Sequence, residues 1–202
     1  MIKSWFAGFG MMAIVTSLGA ATPIDDMEIA RQLVAARCVL CHGPAGHSVS
    51  TEFPKLAGQH ADYIVRQLFN FKTGQRLSPI MQPMANELSA AEIRLIANYF
   101  AAQQTEASRV EDAELVAVGR YIYFRGNRWS GVSACTTCHG VYAQGGAQLP
   151  RLAGQHAAYI ETRLRGPKPG APKTQIDLMH TSVAALSELE VKAVSQYLSG
   201  EE

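Results

Sequence analysis

Cys135-Thr136-Thr137-Cys138-His139 and Cys38-Val39-Leu40-Cys41-His42 decide how this chain reads. Each is C-x-x-C-H, and together they use all four cysteines of the sequence. Two thiols at this spacing near a helix end can reach the two vinyl groups of one haem and close two thioethers. The histidine that follows then lies under the iron as its proximal ligand. A redox-active C-x-x-C pair is expected once, on a thioredoxin-like βαβ unit, and no such unit is visible. A zinc site draws its ligands from separated knuckles, whereas here each His is joined to the second Cys. The pentads therefore predict two covalently bound haem c groups, attached through Cys38, Cys41, Cys135 and Cys138, with His42 and His139 on the irons.

Around the pentads the chain repeats itself. Phe53-Pro54-Lys55-Leu56-Ala57-Gly58-Gln59-His60-Ala61-Asp62-Tyr63-Ile64 returns as Leu149-Pro150-Arg151-Leu152-Ala153-Gly154-Gln155-His156-Ala157-Ala158-Tyr159-Ile160. Leu88-Ser89-Ala90-Ala91-Glu92 returns as Leu186-Ser187-Glu188-Leu189-Glu190. Two copies of one domain are expected, residues 22–105 and 106–202, with the boundary in the polar stretch Gln103 to Arg109.

Helical periodicity recurs in both copies. In the first, a helix from Asp25 to Arg37 carries Met27, Ala30, Leu33 and Val34 as its apolar stripe and Asp25, Asp26 and Glu28 at its positive end. A second runs from His60 to Phe71, with Tyr63, Ile64, Gln67, Leu68 and Phe71 on one side. A loop through Ser78, Pro79, Met81, Pro83 and Met84 leads to a last helix opened by a Ser89/Glu92 capping box, with Ile93, Ile96, Ala97 and Phe100 inward. The second copy follows the same plan over Asp112–Phe124, His156–Leu164 and Ser187–Leu198. Gly119, in mid-helix, costs about 1 kcal/mol of propensity relative to Ala, which points to a close crossing with the last helix. Gly126-Asn127-Arg128-Trp129-Ser130-Gly131 is an added loop without a counterpart in the first copy. No strand-like alternation of useful length appears, so the fold class is all-α.

An iron that shuttles electrons without binding substrate needs a sixth ligand, and the repeat discriminates among the methionines. With Leu88-Ser89 set against Leu186-Ser187, Met81 falls opposite Met179, each seven residues before the Leu. Met84 falls opposite Ser182, which is no useful ligand, and reads as a wall residue. Met81 and Met179 are thus the expected partners of His42 and His139. His180, beside Met179, has Gln82 as its counterpart. His60 and His156 are duplicated, and read as polar residues at helix starts, near the surface or bonded across a domain interface. His47 reads as a surface residue. Pro54 and Pro150 stand at matching places to present a carbonyl to the proximal His Nδ1–H, which fixes the ring and strengthens it as a donor.

The 202 residues suffice for two small domains, and a charged fraction of 17% suits small helical units wrapped around a large apolar cofactor. The formal charge of +1 argues against nucleic acid as a partner. Residues 1–21 read as a cleaved signal peptide: Lys3, an apolar run from Trp5 to Leu18, then small residues around Gly19-Ala20-Ala21. No later stretch reaches transmembrane length. An exported chain bearing C-x-x-C-H is expected in a bacterial periplasm.

The paired pentads, the Pro-x-Leu-Ala-Gly-Gln block after each, and the two Met segments ending in Leu-Ser together resemble the bacterial di-haem cytochromes c4, over the whole chain after the leader. The resemblance implies two tandem class I cytochrome c domains in a pseudo-twofold arrangement, with haem propionate edges near their interface. It also implies His/Met coordination, carried here onto His42 with Met81 and His139 with Met179. It further implies a periplasmic electron carrier, membrane-associated in some members, that receives electrons from a quinol-oxidising membrane complex and passes them to a terminal oxidase or reductase. The Met179-His180-Thr181-Ser182 segment departs from Met81-Gln82-Pro83-Met84 in being more polar. An electron-transfer subunit of a larger oxidoreductase is the alternative. A di-haem peroxidase or sulfur-compound oxidase needs a site that opens, which matched Met ligands disfavour; His180 is the feature that speaks for it. Arg120, Arg125, Arg128, Arg163, Arg165, Lys168 and Lys173 are candidates for partner steering or for pairing with propionates.

Overall fold

The computed structural model describes residues 25–110, 112–166 and 177–201. The leader, Lys168 and Lys173 lie outside the described residues.

The first copy runs α1 (Asp26–Arg37), α2 (Val39–His42), a 3₁₀ turn (Pro44–Gly46), α3 (Ala61–Lys72), α4 (Met81–Asn86) and α5 (Ala90–Ala101). The second runs α6 (Ala113–Arg125), α7 (Thr136–His139), α8 (Ala157–Leu164), α9 (Asp177–Val183) and α10 (Glu188–Gly200). Among the described residues there is no strand, only two isolated bridges, Asn127 with Val132 and Gly146 with Leu149. The first helix of each copy crosses its last, α1 on α5 and α6 on α10, while α3 and α8 close the other side.

The start signals work as the sequence suggests. Asp112 Oδ1 accepts from the N–H groups of Glu114 and Leu115, both at 3.1 Å. Ser89 and Glu92 bond reciprocally at 3.2 and 2.7 Å, and Ser187 and Glu190 at 3.3 and 2.8 Å. Each box satisfies donors that a helix start otherwise leaves open. Ile93, Ile96, Ala97 and Phe100 are buried with Val34, Ile64, Leu68 and Phe71. The second core gathers Ile122, Tyr123, Ile160, Val194, Tyr197 and Leu198.

Two readings are corrected. Met27 does not join the α1 stripe: it is exposed, and the core side of α1 is carried by the buried Ala30 and Val34 with Leu33 packed beside them. The Met81 segment is a short helix rather than a loop. Pro83 sits in its first turn, where the missing N–H has no intrahelical partner to lose. Its counterpart Met179 likewise lies in a helix, α9.

Gly119 packs as the propensity argument requires. It is buried, and a Cβ there would run into the Ala193 carbonyl and the Tyr197 side chain of α10. The added loop is tied to the same helix, since Asn127 Nδ2 donates to Glu190 Oε1 at 2.7 Å.

Candidate haem sites and the seam between the copies

Each pentad forms one short helix. Cys38 caps α1 and leads into α2, which ends at His42; Cys135 opens α7, which ends at His139. Both histidines are buried, and each imidazole is fixed from behind. His42 Nδ1 lies 2.9 Å from the Pro54 carbonyl, and His139 Nδ1 lies 3.1 Å from that of Pro150. A carbonyl only accepts, so Nδ1 carries the proton and the Nε2 lone pair is left for another partner. His42 Nε2 is buried without a hydrogen-bond partner. Burial holds both imidazoles below their ordinary pKa, against the raising effect of the proline carbonyls, so the rings are neutral. A buried, neutral, preoriented imidazole is a ready iron ligand.

The thiols fit thioether attachment and not dithiol chemistry. No disulfide joins them. Burial raises Cys38 and Cys135 to about 11 each, the reverse of the depressed pKa a reactive C-x-x-C thiolate needs. Cys41 is half-buried and Cys138 exposed. Among the described residues no three His, Cys, Asp or Glu side chains converge.

Met81, the first residue of α4, packs half-buried against the first core, as Cys38 also does. Met84, one turn on, is exposed. Met179 is half-buried within α9. Of the basic candidates, Arg165 is taken up by Glu161 at 3.0 Å and Glu188 at 2.8 Å. Arg120, Arg125 and Arg128 are exposed. Arg163 is half-buried beside Arg76, a residue the sequence reading did not weigh. Arg76 donates to Gln67 Oε1 at 2.7 Å and to the Tyr159 hydroxyl at 3.0 Å, and lies 4.5 Å from the Phe71 ring centre. Burial lowers the pKa of Arg163, with Arg76 second among the causes. Two guanidiniums close enough to oppose each other's charge, near Tyr63 and Tyr159, make a cationic spot suited to carboxylates.

The duplicated block forms the seam between the copies, and it binds itself. Gln59 of the first copy receives the Arg151 N–H at 2.9 Å and donates to the Arg151 carbonyl at 3.0 Å. Gln155 of the second does the same with Lys55, both bonds at 2.9 Å. The glycine before each glutamine has a positive φ, 64° at Gly58 and 76° at Gly154, which turns the chain so that its N–H reaches the last helix. Gly58 donates to Phe100 O and Gly154 to Leu198 O, both at 2.9 Å. The histidines that follow also cross the seam: His60 Nε2 lies 2.7 Å from Gln144 O, and His156 Nε2 lies 2.8 Å from Ser48 O. Of the two placements the sequence left open for them, the interface is the one observed. His47 is also at the seam, half-buried with Nδ1 3.6 Å from the Glu106 carboxylate, not out on the surface. The exact return of Ala-Gly-Gln-His was the available signal for this seam; nothing in it told which backbone each glutamine meets.

His156 gives the seam a pH dependence. Burial first, and Lys55 beside it, hold its pKa below the ordinary value, with the Ser48 contact opposing them. The unfolded chain therefore binds the extra proton more readily, and the native state loses stability as pH falls below about 6.5. The thermal midpoint of the holoprotein, followed from pH 7.5 down to 5, is expected to fall less steeply for His156→Gln than for the parent. Equal slopes would show that the imidazole is not buried at the seam.

Comparison with known proteins agrees with this geometry. Residues 25–100 match the family described as cytochrome C oxidase, cbb3-type, subunit III, and residues 125–200 match the family described as cytochrome c. Cytochrome c4 of Thiocapsa roseopersicina is 39% identical, covering 90% of this chain and 95% of that protein. A thiosulfate dehydrogenase electron acceptor of Stutzerimonas stutzeri is 37% identical, covering 94% of this chain and 92% of that protein. The crystal structure of reduced recombinant cytochrome c4 from Pseudomonas stutzeri superposes with a TM-score of 0.80 at 33% identity, covering 87% of this chain and 98% of that one.

Proposed function

Because the chain belongs to the cytochrome c4 family of di-haem electron-transfer proteins, built from two tandem cytochrome c domains with two covalently bound haem c groups, we propose that it is a periplasmic carrier of single electrons between respiratory redox partners. Its donor is a quinol-oxidising membrane complex and its acceptor a terminal oxidase or reductase. It catalyses no bond-making step. The domains are 22–105 and 106–202, after a leader at 1–21. His42 and Met81 hold one iron and His139 and Met179 the other, with Cys38, Cys41, Cys135 and Cys138 forming the thioethers. Arg76 and Arg163 are the candidates to pair with propionates. Among the described residues no helix is long and apolar enough to cross a membrane.

The observation that carries this reading is the identical backing of the two proximal histidines, by Pro54 at 2.9 Å and Pro150 at 3.1 Å. Two alike sites suit relay: with haem held by His42 and Met81, and by His139 and Met179, neither iron would keep a position open to substrate, and the group would supply one-electron exchange. A neutral thioether ligand favours the ferrous form and so raises the potential relative to a second imidazole. Haem, when bound, supplies the redox chemistry; the chain orients the ligands, excludes water from the histidines and fixes the protons on Nδ1.

A spectroelectrochemical titration read through the near-infrared Met-to-iron band tests this. Two low-spin sites, both showing the band and both at positive potentials, are expected. Met81→Ala and Met179→Ala should each remove about half of the band, and Met84→Ala none. A parent protein in which one site lacks the band and binds peroxide or cyanide readily would sink the carrier reading and turn attention to His180 and catalysis.

A second reading of the donor rests on the relative named as a thiosulfate dehydrogenase electron acceptor. In it, electrons arrive from a sulfur-oxidising dehydrogenase rather than from quinol. Stopped-flow reduction of the ferric protein by each donor in turn separates the two.

A further inference from the structure

The Pro54 carbonyl and the Lys55 N–H are the two ends of one peptide unit. The first accepts from His42 Nδ1 at 2.9 Å, and the second donates to Gln155 Oε1 at 2.9 Å. The same chain of bonds exists in the other direction. The Pro150 carbonyl accepts from His139 at 3.1 Å, and the N–H of that peptide, on Arg151, donates to Gln59 Oε1 at 2.9 Å. The amide orientation is fixed on chemical grounds. Each Oε1 also receives the N–H of the following histidine, at 3.1 Å for His60 and 3.0 Å for His156, while each Nε2 faces a carbonyl. Turning either amide over would set donors against donors. Both glutamines are buried, so no bulk water competes for these bonds.

We propose that each copy tunes the iron of the other: Gln155 sets how strongly the Pro54 carbonyl draws on His42, and Gln59 does so for Pro150 and His139. The coupling runs through peptide resonance. An acceptor on the N–H shifts electron density onto the carbonyl oxygen of the same unit, and hydrogen bonds in such a chain strengthen one another. A more negative carbonyl pulls harder on the Nδ1 proton, which makes the imidazole a stronger donor at Nε2. A stronger donor stabilises ferric over ferrous iron, so each glutamine lowers the potential of the haem across the seam. This rests on His42 and His139 being the proximal ligands, as proposed above.

The experiment is a redox titration of the full holoprotein, with an electrode supplying one electron per iron. The two haems are told apart by the Met81→Ala and Met179→Ala assignments of their bands. Gln155→Met removes the acceptor while roughly keeping the volume. It is expected to move the one-electron equilibrium at the His42 site about threefold toward ferrous iron, roughly 28 mV upward, and to leave the His139 site in place. Gln59→Met should do the converse. Gln155→Glu keeps an acceptor oxygen and adds charge to it, so it should shift the His42 site downward. Opposite signs for Met and Glu at one position are not what mere loosening of the seam produces. Shifts confined to the substituted copy, equal shifts at both irons, the same sign for both substitutions, or no shift at all would each overturn the proposal. The ligand reading is checked apart from it: a parent holoprotein without two low-spin sites overturns both, whereas a normal parent with unresponsive variants overturns only the tuning.

Discussion

Gly119→Ala is expected to destabilise the second copy by about 2 kcal/mol, although alanine is the better helix former. The propensity gain is about 1 kcal/mol. Against it stands a methyl directed at the Ala193 carbonyl, with Tyr197 behind it. Backbone cannot swing aside as a side-chain tip can, and forcing atoms into a filled core costs about 1–3 kcal/mol, at times more. The clash wins because α6 and α10 touch backbone to backbone here, and parting them also opens the contacts of Ile122, Tyr123 and Val194. For a unit of this size the thermal midpoint should fall by about 8–16 °C. Gly119→Leu should prevent the second copy from packing; its thiols remain, so haem content should stay at two while about half of the low-spin absorbance is lost. A Gly119→Ala protein that melts higher than the parent would show that the helices do not meet at this residue.

The second large effect is at the pentad histidines. His42→Gly and His139→Gly leave the four thiols, and so covalent attachment, intact. Each removes a buried imidazole whose Nδ1–H is bonded to a proline carbonyl and whose Nε2 is left unprotonated. About half of the low-spin absorbance should be lost in each variant, replaced by a high-spin signal, and free imidazole should restore it by entering the vacated space. Low-spin absorbance that persists in either variant without imidazole would show that another side chain is the proximal ligand.

Much of this was readable in the sequence because it is local. The pentads are complete within five residues, the capping boxes within four, and the inward faces of α3, α5 and α10 follow from helical period. Errors arose where local rules leave a choice. Met27 fits the period of α1, yet it lies in the first turn and stays exposed, while Ala30, Leu33 and Val34 further along meet the core. Pro83 suggested a loop, but in a first turn proline is tolerated. What stayed hidden is long-range. Gln59 and Gln155 meet backbone 92 and 100 residues away, and Arg76 meets Tyr159 83 residues away. No periodicity encodes such pairs; the repeat marked the glutamines as special without naming their partners.

The seam has a further meaning. In it the same segment faces itself: the glutamine of one copy holds the backbone four residues before the glutamine of the other, and the relation is mutual. That is an isologous contact, the kind found across the twofold axis of a homodimer. One copy thus carries a complete half of the joint, donors and acceptors alike, and needs nothing unlike itself to fill it. A glutamine lost from one side leaves an unpaired backbone N–H and carbonyl on the other, so each half of the joint is completed by its twin, although the two share a single chain.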